Sequence, residues 1–144
     1  MGKRSEQTQK IYDEHPHVVV KRSSAGLGLF AAEPIKRDEF VVEYTGEVIT
    51  TDEADERQGK YLFDINSKWV IDGSPRTNLA RYINHSCKPN CEPEVDERKK
   101  RVYIYAIKNI KPGEELTYDY GKDYFEGFIK PHGCRCDACA KKKK

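Results

Sequence analysis

Cysteines near the end of the chain are spaced for holding a metal. Cys134, Cys136 and Cys139 stand in the stretch CRCDAC. A Cys-x-Cys-x-x-Cys spacing puts three thiols on one tight loop, which suits a tetrahedral metal better than disulfide bonds between neighbours. A fourth ligand is then required, and Cys87 or Cys91, in the stretch NHSCKPNC, could supply it if the fold brings it to the tail. The alternative for Cys87 is the small buried apolar side chain that a single cysteine often is.

The composition argues against several classes of protein. The chain has 26 basic and 24 acidic residues and a formal net charge of +2, so no strong overall field attracts nucleic acid. No apolar run approaches the ~20 residues of a membrane helix, and the first thirty residues lack the apolar centre of a signal peptide. We therefore expect a soluble intracellular protein, in which an odd count of five cysteines does not form a disulfide framework.

A pair of glycines is the second feature that could bind a ligand. Gly26 and Gly28, in SSAGLGLFA, lack the spacing of a dinucleotide or P-loop fingerprint. Two glycines one residue apart still let the backbone turn tightly and approach a ligand closely. A plain β-turn is the default interpretation, so this motif alone decides nothing.

The elements that must position these residues are predicted to be mostly short strands. Segments of β-branched and aromatic residues alternate with turn formers, and the charged residues 96–101 predict a hairpin turn. Residues 51–60 favour a short helix capped by Thr51 or Asp52. The predicted strands are residues 18–23, 28–33, 40–49, 60–65, 68–72 and 101–110, with one more after the Pro-Gly turn in 111–120.

Five motifs in a fixed order resemble one family. AGLGLFAAEPI, EYTGEVI, ARYINHSCKPNC, GEELTYDYG and CRCDAC are together similar to the SET-domain protein-lysine methyltransferases with a cysteine-rich post-SET tail. The resemblance covers about residues 17–139. It implies a mainly β fold of the β-clip type, with few short helices and several short sheets around a C-terminal pseudoknot, in which the ELTYDYG segment passes under a loop near NHSC. The implied divisions are a flexible arm (1–16), the SET domain (17–121) and a post-SET zinc-binding tail (122–144).

The resemblance also implies an activity and a catalytic set. Family members transfer a methyl group from S-adenosylmethionine to a lysine amine of a protein. Tyr44, Tyr118 and Tyr120 match the positions that line the lysine channel, and Tyr120 matches the tyrosine whose hydroxyl lies near the reacting methyl. Because a tyrosine stands at 118, mainly monomethylation is expected. The other tyrosines considered are assigned to packing: Tyr61, Tyr103, Tyr105 and Tyr124.

The family's binding positions carry over in the same way. The implied cofactor-binding residues are Gly26, Leu27, Gly28, Arg81, Asn84, His85 and Tyr120. The implied structural zinc site has four thiolates, from Cys87, Cys134, Cys136 and Cys139, and leaves Cys91 dispensable. The tail spacing is tighter than in many nuclear members, and KKKK follows almost directly, so we expect the part of the tail that completes the lysine channel to be shortened or displaced.

The expected partner is a lysine-containing protein or peptide, such as a histone. Asp52, Glu53, Asp55 and Glu56 would form an acidic wall of the substrate groove, although a solvated helix face explains them equally well. We expect a monomer without membrane or specific nucleic-acid partners, cytoplasmic if bacterial and nuclear if eukaryotic, viral or delivered to a host; the compact form resembles bacterial or viral members. Two alternatives remain. The first is a catalytically silent module that binds peptide or chromatin. The second is a zinc-dependent nucleic-acid binder, which the near-neutral net charge argues against.

Overall fold

The computed structural model of the chain describes residues 15–23 and 26–121. Within these ranges the chain forms ten strands and one short α-helix. The strands are β1 (Val18–Ser23), β2 (Gly26–Ala31), β3 (Phe40–Tyr44), β4 (Glu47–Thr50), β5 (Leu62–Asp64), β6 (Trp69–Asp72), β7 (Asn84–His85), β8 (Cys91–Asp96), β9 (Arg101–Ala106) and β10 (Thr117–Tyr118). Helix α1 (Thr51–Arg57) follows β4, and a 3₁₀ turn (Leu79–Tyr82) precedes β7.

The strands form four small sheets. β1 pairs with β2, and the three-stranded sheets have the orders β3-β9-β8 and β4-β6-β5, all antiparallel. The fourth sheet joins β7 to β10 in parallel. The predicted mainly β fold of several short sheets with few helices is therefore confirmed.

The core lies beneath the central strand β9. Its alternate residues Val102, Ile104 and Ala106 are almost completely buried, as their spacing predicts, and they pack in one cluster with residues such as Leu29 and Leu116. A second, smaller cluster, Ile49, Ala54 and Val70, fixes helix α1 against its sheet. The first cluster continues to the buried tyrosines Tyr44 and Tyr118.

Helix α1 begins one residue earlier than its predicted caps allow. Thr50, rather than Thr51 or Asp52, is the N-cap, and its side-chain oxygen accepts a hydrogen bond from the Glu53 backbone N–H. Thr51 and Asp52 lie inside the first turn. Thr50 has the extended backbone that an N-cap requires because it is also the last residue of β4.

The predicted strand 40–49 is divided between two sheets. The Thr45 N–H donates to the Asn78 side-chain oxygen (3.1 Å) instead of a strand partner. A Cβ at Gly46 would lie 2.0 Å from the carbonyl oxygen of Asp72, so only glycine permits this crossing. The first half therefore pairs with β9 and the second with β6.

Other strand boundaries differ from the prediction by a few residues, and two strands, the two-residue β7 and β8, were not predicted. Four predicted strands (28–33, 60–65, 68–72 and 101–110) are found as β2, β5, β6 and β9. The sequence of β8 did not indicate a strand because it contains Pro93 and half of its side chains are acidic. The predicted turn is confirmed, since Asp96 pairs with Arg101 across residues 97–100. Among the described residues, no helix is both long and apolar enough to cross a membrane.

Candidate active site

The parallel pair β7–β10 brings two distant motifs together. Thr117 lies opposite Asn84, and Tyr118 opposite His85. Because each strand has only two residues, side-chain hydrogen bonds extend the pairing: the Asn90 amide donates to the Glu115 carbonyl (2.8 Å) and accepts from the Thr117 N–H (2.9 Å). The NHSC and ELTYDYG segments are thus adjacent, while the passage of one beneath the other stays a prediction.

A row of aromatic rings leads from the core to this pair. The centroid of Tyr44 lies 5.2 Å from Phe63, that of Phe63 lies 6.5 Å from Tyr118, and that of Tyr118 lies 4.9 Å from Tyr120. The structure therefore brings the three predicted channel tyrosines together. Phe63, on β5, was not predicted as a site residue, although its place in an aromatic strand near Tyr61 is a signal that could have found it.

Tyr120 is held by its backbone and by its hydroxyl. The Tyr120 N–H donates to His85 Nδ1 (3.1 Å), and the phenol donates to the carbonyl oxygen of Ile83. The His85 ring also meets the Tyr120 ring edge to face at 5.4 Å. The phenol hydroxyl thus directs its proton to the Ile83 carbonyl, and the lone pairs of its oxygen point away from that carbonyl.

His85 serves this site as a neutral acceptor. Burial lowers its pKa, and the Asp119 carboxylate, 3.8 Å from Nδ1, only partly opposes that shift. Because Nδ1 accepts the Tyr120 N–H, the single proton of the neutral ring belongs on Nε2. Nε2 lies 3.5 Å from the Cys87 sulfur, so His85 links Tyr120 to that cysteine.

Tyr44 is fixed from two sides. Its hydroxyl donates to the backbone carbonyl of Tyr61 (2.8 Å). Gly73 lies against its ring so closely that an added Cβ would be 2.4 Å from Tyr44 Cε1. Buried Asn78 holds this glycine by donating to its carbonyl (3.0 Å).

Asn84 connects β2, which carries Gly26 and Gly28 and is called the glycine strand below, to the β7–β10 pair. Its amide nitrogen lies 3.0 Å from the Leu27 carbonyl and 2.8 Å from a Glu115 carboxylate oxygen. That carboxylate occupies the space beside Gly28, where an added Cβ would meet it at 2.4 Å. Gly26 has a φ of +104°, which favours glycine. The structure therefore brings Gly26, Leu27, Gly28 and Asn84 together, and Glu115 joins them as a residue that the sequence did not indicate.

Arg81 lies on another side of the site. Its guanidinium stacks 4.2 Å from the Tyr61 ring centroid and 5.2 Å from that of Tyr82, and it donates to the Ser74 carbonyl. These contacts join Arg81 to Tyr61, the residue just before β5, rather than to the glycine strand. Its cofactor role stays a prediction, and Tyr61, assigned to packing, also accepts the Tyr44 hydroxyl.

The arrangement of motifs matches a known family. The family model for the SET domain matches residues 26–121. The chain belongs to the SET-domain family. The family prediction is confirmed over these residues, while the exact divisions at 16, 17, 121 and 122 stay predictions.

This SET domain is similar to portions of much longer enzymes. It is 39% identical over 151 residues to the histone-lysine N-methyltransferase trr of Drosophila melanogaster, a match covering 96% of this chain and 6% of the fly protein. It is 44% identical over 105 residues to the H3 lysine-4 specific histone-lysine N-methyltransferase of Schizosaccharomyces pombe, covering 65% of this chain and 11% of the yeast protein. The chain thus spans a small part of either relative.

A solved structure shares the fold. The SET domain superposes with a TM-score of 0.67 and 36% identity on a chain of the Chaetomium thermophilum polycomb repressive complex 2, covering 81% of this chain and 19% of that one. The similarity supports the same backbone arrangement in both.

The zinc prediction rests in part on residues outside the described ranges, where Cys134, Cys136 and Cys139 lie, as does Tyr124. In the part of the SET domain that the structure describes, no three metal-binding side chains are grouped. The described cysteines differ sharply: Cys87 is exposed, whereas Cys91 is 1% exposed and burial raises its pKa to about 12. A thiol that stays protonated is a poor ligand, while an exposed Cys87 facing the His85 Nε2–H suits a metal-bound thiolate.

We expect Cys136→Ser to lower the zinc content well below one ion per chain, because the site would lose one of four thiolates. Cys91→Ala is the matched control and should retain the metal, since its thiol is buried and protonated. Metal analysis by mass spectrometry of the purified proteins measures both. Unchanged zinc in Cys136→Ser would remove this assignment.

Proposed function

We propose that this SET domain is a protein-lysine N-methyltransferase that uses S-adenosylmethionine and acts on a basic nuclear protein such as a histone. The observation that carries the proposal is the aromatic row from Tyr44 to Tyr120, which ends at a phenol held in place by Ile83 and His85. The similar histone-lysine N-methyltransferases support the same activity.

The aromatic row answers the central difficulty of lysine methylation. A lysine amine has a pKa near 10.4 in water, so almost all of it is protonated and cannot attack a methyl group. A narrow aromatic channel removes water from the ammonium, and a neighbouring positive charge repels it; both effects lower the amine pKa. Tyr44 and Tyr118 are only 4% and 6% exposed, so they offer the dry walls that this effect requires.

The glycine strand offers a place for the cofactor. Leu27 is 52% exposed, and an added Cβ at Gly26 would meet nothing within 4 Å. The Glu115 carboxylate beside Gly28 adds a negative charge, which suits the net positive charge of S-adenosylmethionine. When bound, the cofactor supplies an electrophilic methyl group on a sulfonium.

The residues of the chain act by alignment rather than by a carboxylate base. Tyr44 and Tyr118 hold the neutral amine, and the oxygen of Tyr120 lies at the end of the row where the methyl group is received. Holding two reactants in line contributes about 7–11 kcal/mol to lowering a barrier. The proton that the amine loses leaves to water.

The acidic wall provides one attraction for a basic substrate. The Asp52, Asp55 and Glu56 side chains of α1 are exposed, while Glu53 is paired with Arg57 at 2.7 Å. Lysine-rich segments carry the complementary charge. A histone tail therefore fits this side of the domain.

Incubation with labelled S-adenosylmethionine and a panel of histones tests the proposal. Label should appear on lysine, and omission of the histone should abolish most of it. If calorimetry detects cofactor or peptide binding but no label is transferred to any histone or lysate protein, the domain is instead a silent binding module.

The number of methyl groups is expected to depend on Tyr118. Its ring lies between Phe63 and Tyr120, and a hydroxyl there can anchor an ordered water beside the amine. A second methyl group would have to displace that water and its hydrogen bonds. We expect mainly monomethyl-lysine from the wild type and a shift toward dimethyl-lysine in Tyr118→Phe.

Mass spectrometry of the product under excess cofactor measures this shift. Tyr105→Phe, which removes a hydroxyl from the outer side of β9, is the control and should keep the wild-type profile. Abundant trimethyl-lysine from the wild type, or equal profiles from wild type and Tyr118→Phe, would contradict the assignment.

A further inference from the structure

The sheet β3-β9-β8 has an outer face that combines aromatic rings with carboxylates. Tyr103 lies opposite Glu43 and Glu94, and Tyr105 lies opposite Phe40 and Glu92. Directly opposite residues share a face, and the alternate residues of β9 face the core. We call this surface the acidic aromatic face; its residues are Phe40, Glu43, Glu92, Glu94, Asp96, Tyr103 and Tyr105.

The aromatic part of this face is open. Phe40 is 46% exposed and meets Tyr103 and Tyr105 edge to face, with centroids 6.3 and 5.9 Å apart. A bulge between Phe40 and Val42 turns Val41 and Val42 both into the core and leaves Phe40 outside. A phenylalanine placed so is not needed for the core.

A groove runs beside these rings. Its volume is about 350 Å³, and its lining residues are Glu94, Val95, Asp96, Glu97, Tyr103 and Tyr105. Such a groove can take the alkyl stem of a long side chain while carboxylates meet its charged end.

Among the described residues, Arg101 compensates part of the charge of the face, since it hydrogen-bonds Tyr103 and is attracted to Glu43 and Asp96. Arg101 belongs to the same strand face, and its Nε lies 4.0 Å from a Glu43 carboxylate oxygen, with its side chain 57% exposed. Glu92 and Glu94 are exposed on the opposite strand. The neighbouring Lys99 contributes its backbone N–H to Asp96. The position of Arg101 shows that a guanidinium group fits beside the carboxylates and tyrosine rings of this face.

We propose that the acidic aromatic face binds an arginine- or lysine-rich segment of the protein substrate, remote from the lysine that is methylated. Guanidinium and ammonium groups are attracted both to carboxylates and to the faces of tyrosine and phenylalanine rings. This inference rests on the proposed function for its substrate, but the binding itself requires no methyl transfer.

The distance from the face to the aromatic row is short for a polypeptide. Phe40 and Tyr44 are the two ends of β3, and strands rise about 3.3 Å per residue. Because Tyr44 faces the core, the substrate must pass around the sheet. A dozen extended residues reach about 40 Å, so one substrate segment can contact both the acidic aromatic face and the aromatic row.

Direct binding of a fluorescent arginine-rich peptide without lysine tests the face independently of activity. We expect the Glu92→Gln/Glu94→Gln variant to bind about fivefold to tenfold more weakly, as two exposed charge pairs of ordinary strength would give. The Glu33→Gln/Glu114→Gln variant removes the same charge from other exposed positions and should bind like the wild type. Phe40→Ala should also weaken binding, with folding checked by thermal melting.

Kinetics with a long basic substrate and a version truncated around the target lysine complete the test. Glu92→Gln/Glu94→Gln should raise KM for the long substrate about fivefold, leave KM for the short one unchanged and keep kcat. Equal peptide affinity in both double variants overturns the proposed face. Absence of methyl transfer with every substrate overturns the proposed function, while the peptide measurement still decides the face.

Discussion

Replacing Tyr120 with phenylalanine is expected to lower the turnover number of methyl transfer by about 100-fold or more, the usual cost of removing one polar group aimed at a reacting centre. The change deletes a single hydroxyl, which donates to the Ile83 carbonyl. Its loss leaves the ring free to shift at the end of the aromatic row. Single-turnover assays with labelled cofactor measure the effect.

The fold and the cofactor affinity should change much less. The Tyr120 N–H still donates to His85 Nδ1, and one lost hydrogen bond costs about 1 kcal/mol of unfolding free energy. Tyr105→Phe is the control and should turn over like the wild type at saturating substrate. Near wild-type turnover in Tyr120→Phe would move the catalytic role elsewhere, with Tyr44 the next candidate.

Gly73→Ala is expected to abolish most activity by displacing Tyr44. The new Cβ would lie 2.4 Å from Tyr44 Cε1 and 2.5 Å from Asn78 Nδ2. Both neighbours are buried and hydrogen-bonded, so neither can move without losing packing contacts or a hydrogen bond. Overpacking of this kind costs about 1–3 kcal/mol of unfolding free energy, and we expect a similar loss here together with a fall in turnover.

Gly59→Ala provides the matched comparison. There an added Cβ would meet only Leu62 side-chain atoms, the nearest at 3.5 Å, which is ordinary contact. Thermal unfolding and turnover should therefore be close to wild type. If Gly73→Ala unfolds and turns over like Gly59→Ala, Tyr44 is not confined as the distances indicate.

Local patterns predicted the fold well where residues that are close in sequence determine the structure. The alternation of Val102, Ile104 and Ala106 placed β9 correctly because one face of that strand is buried. The same reasoning failed at residues 40–49, because the break depends on the contact between Gly46 and Asp72, which are far apart in sequence. β8 could not be recognised from hydrophobicity, since its outer face is acidic.

The site was predictable in its residue types but not in its connections. Motif order indicated Tyr44, Tyr118 and Tyr120, yet no local pattern showed that Phe63 lies between two of them. The same holds for Glu115, which reaches Asn84 across 31 positions of sequence. Arg81 was assigned by motif alone, and its stacking on Tyr61 follows from the tertiary structure.

The two-residue pairing of β7 with β10 has a consequence for how the protein is made. Thr117 and Asn84 are far apart in the chain, so a ribosome-bound fragment ending before β10 contains the core strands β3 and β9 but not Tyr120, the proposed catalytic residue. Closing that long loop costs entropy before any contact repays it. The proposed catalytic centre therefore cannot form before β10 has been synthesised, and its local opening requires the loss of few hydrogen bonds. Such an arrangement would let the proposed methyl-transfer activity vary while the rest of the domain remains folded.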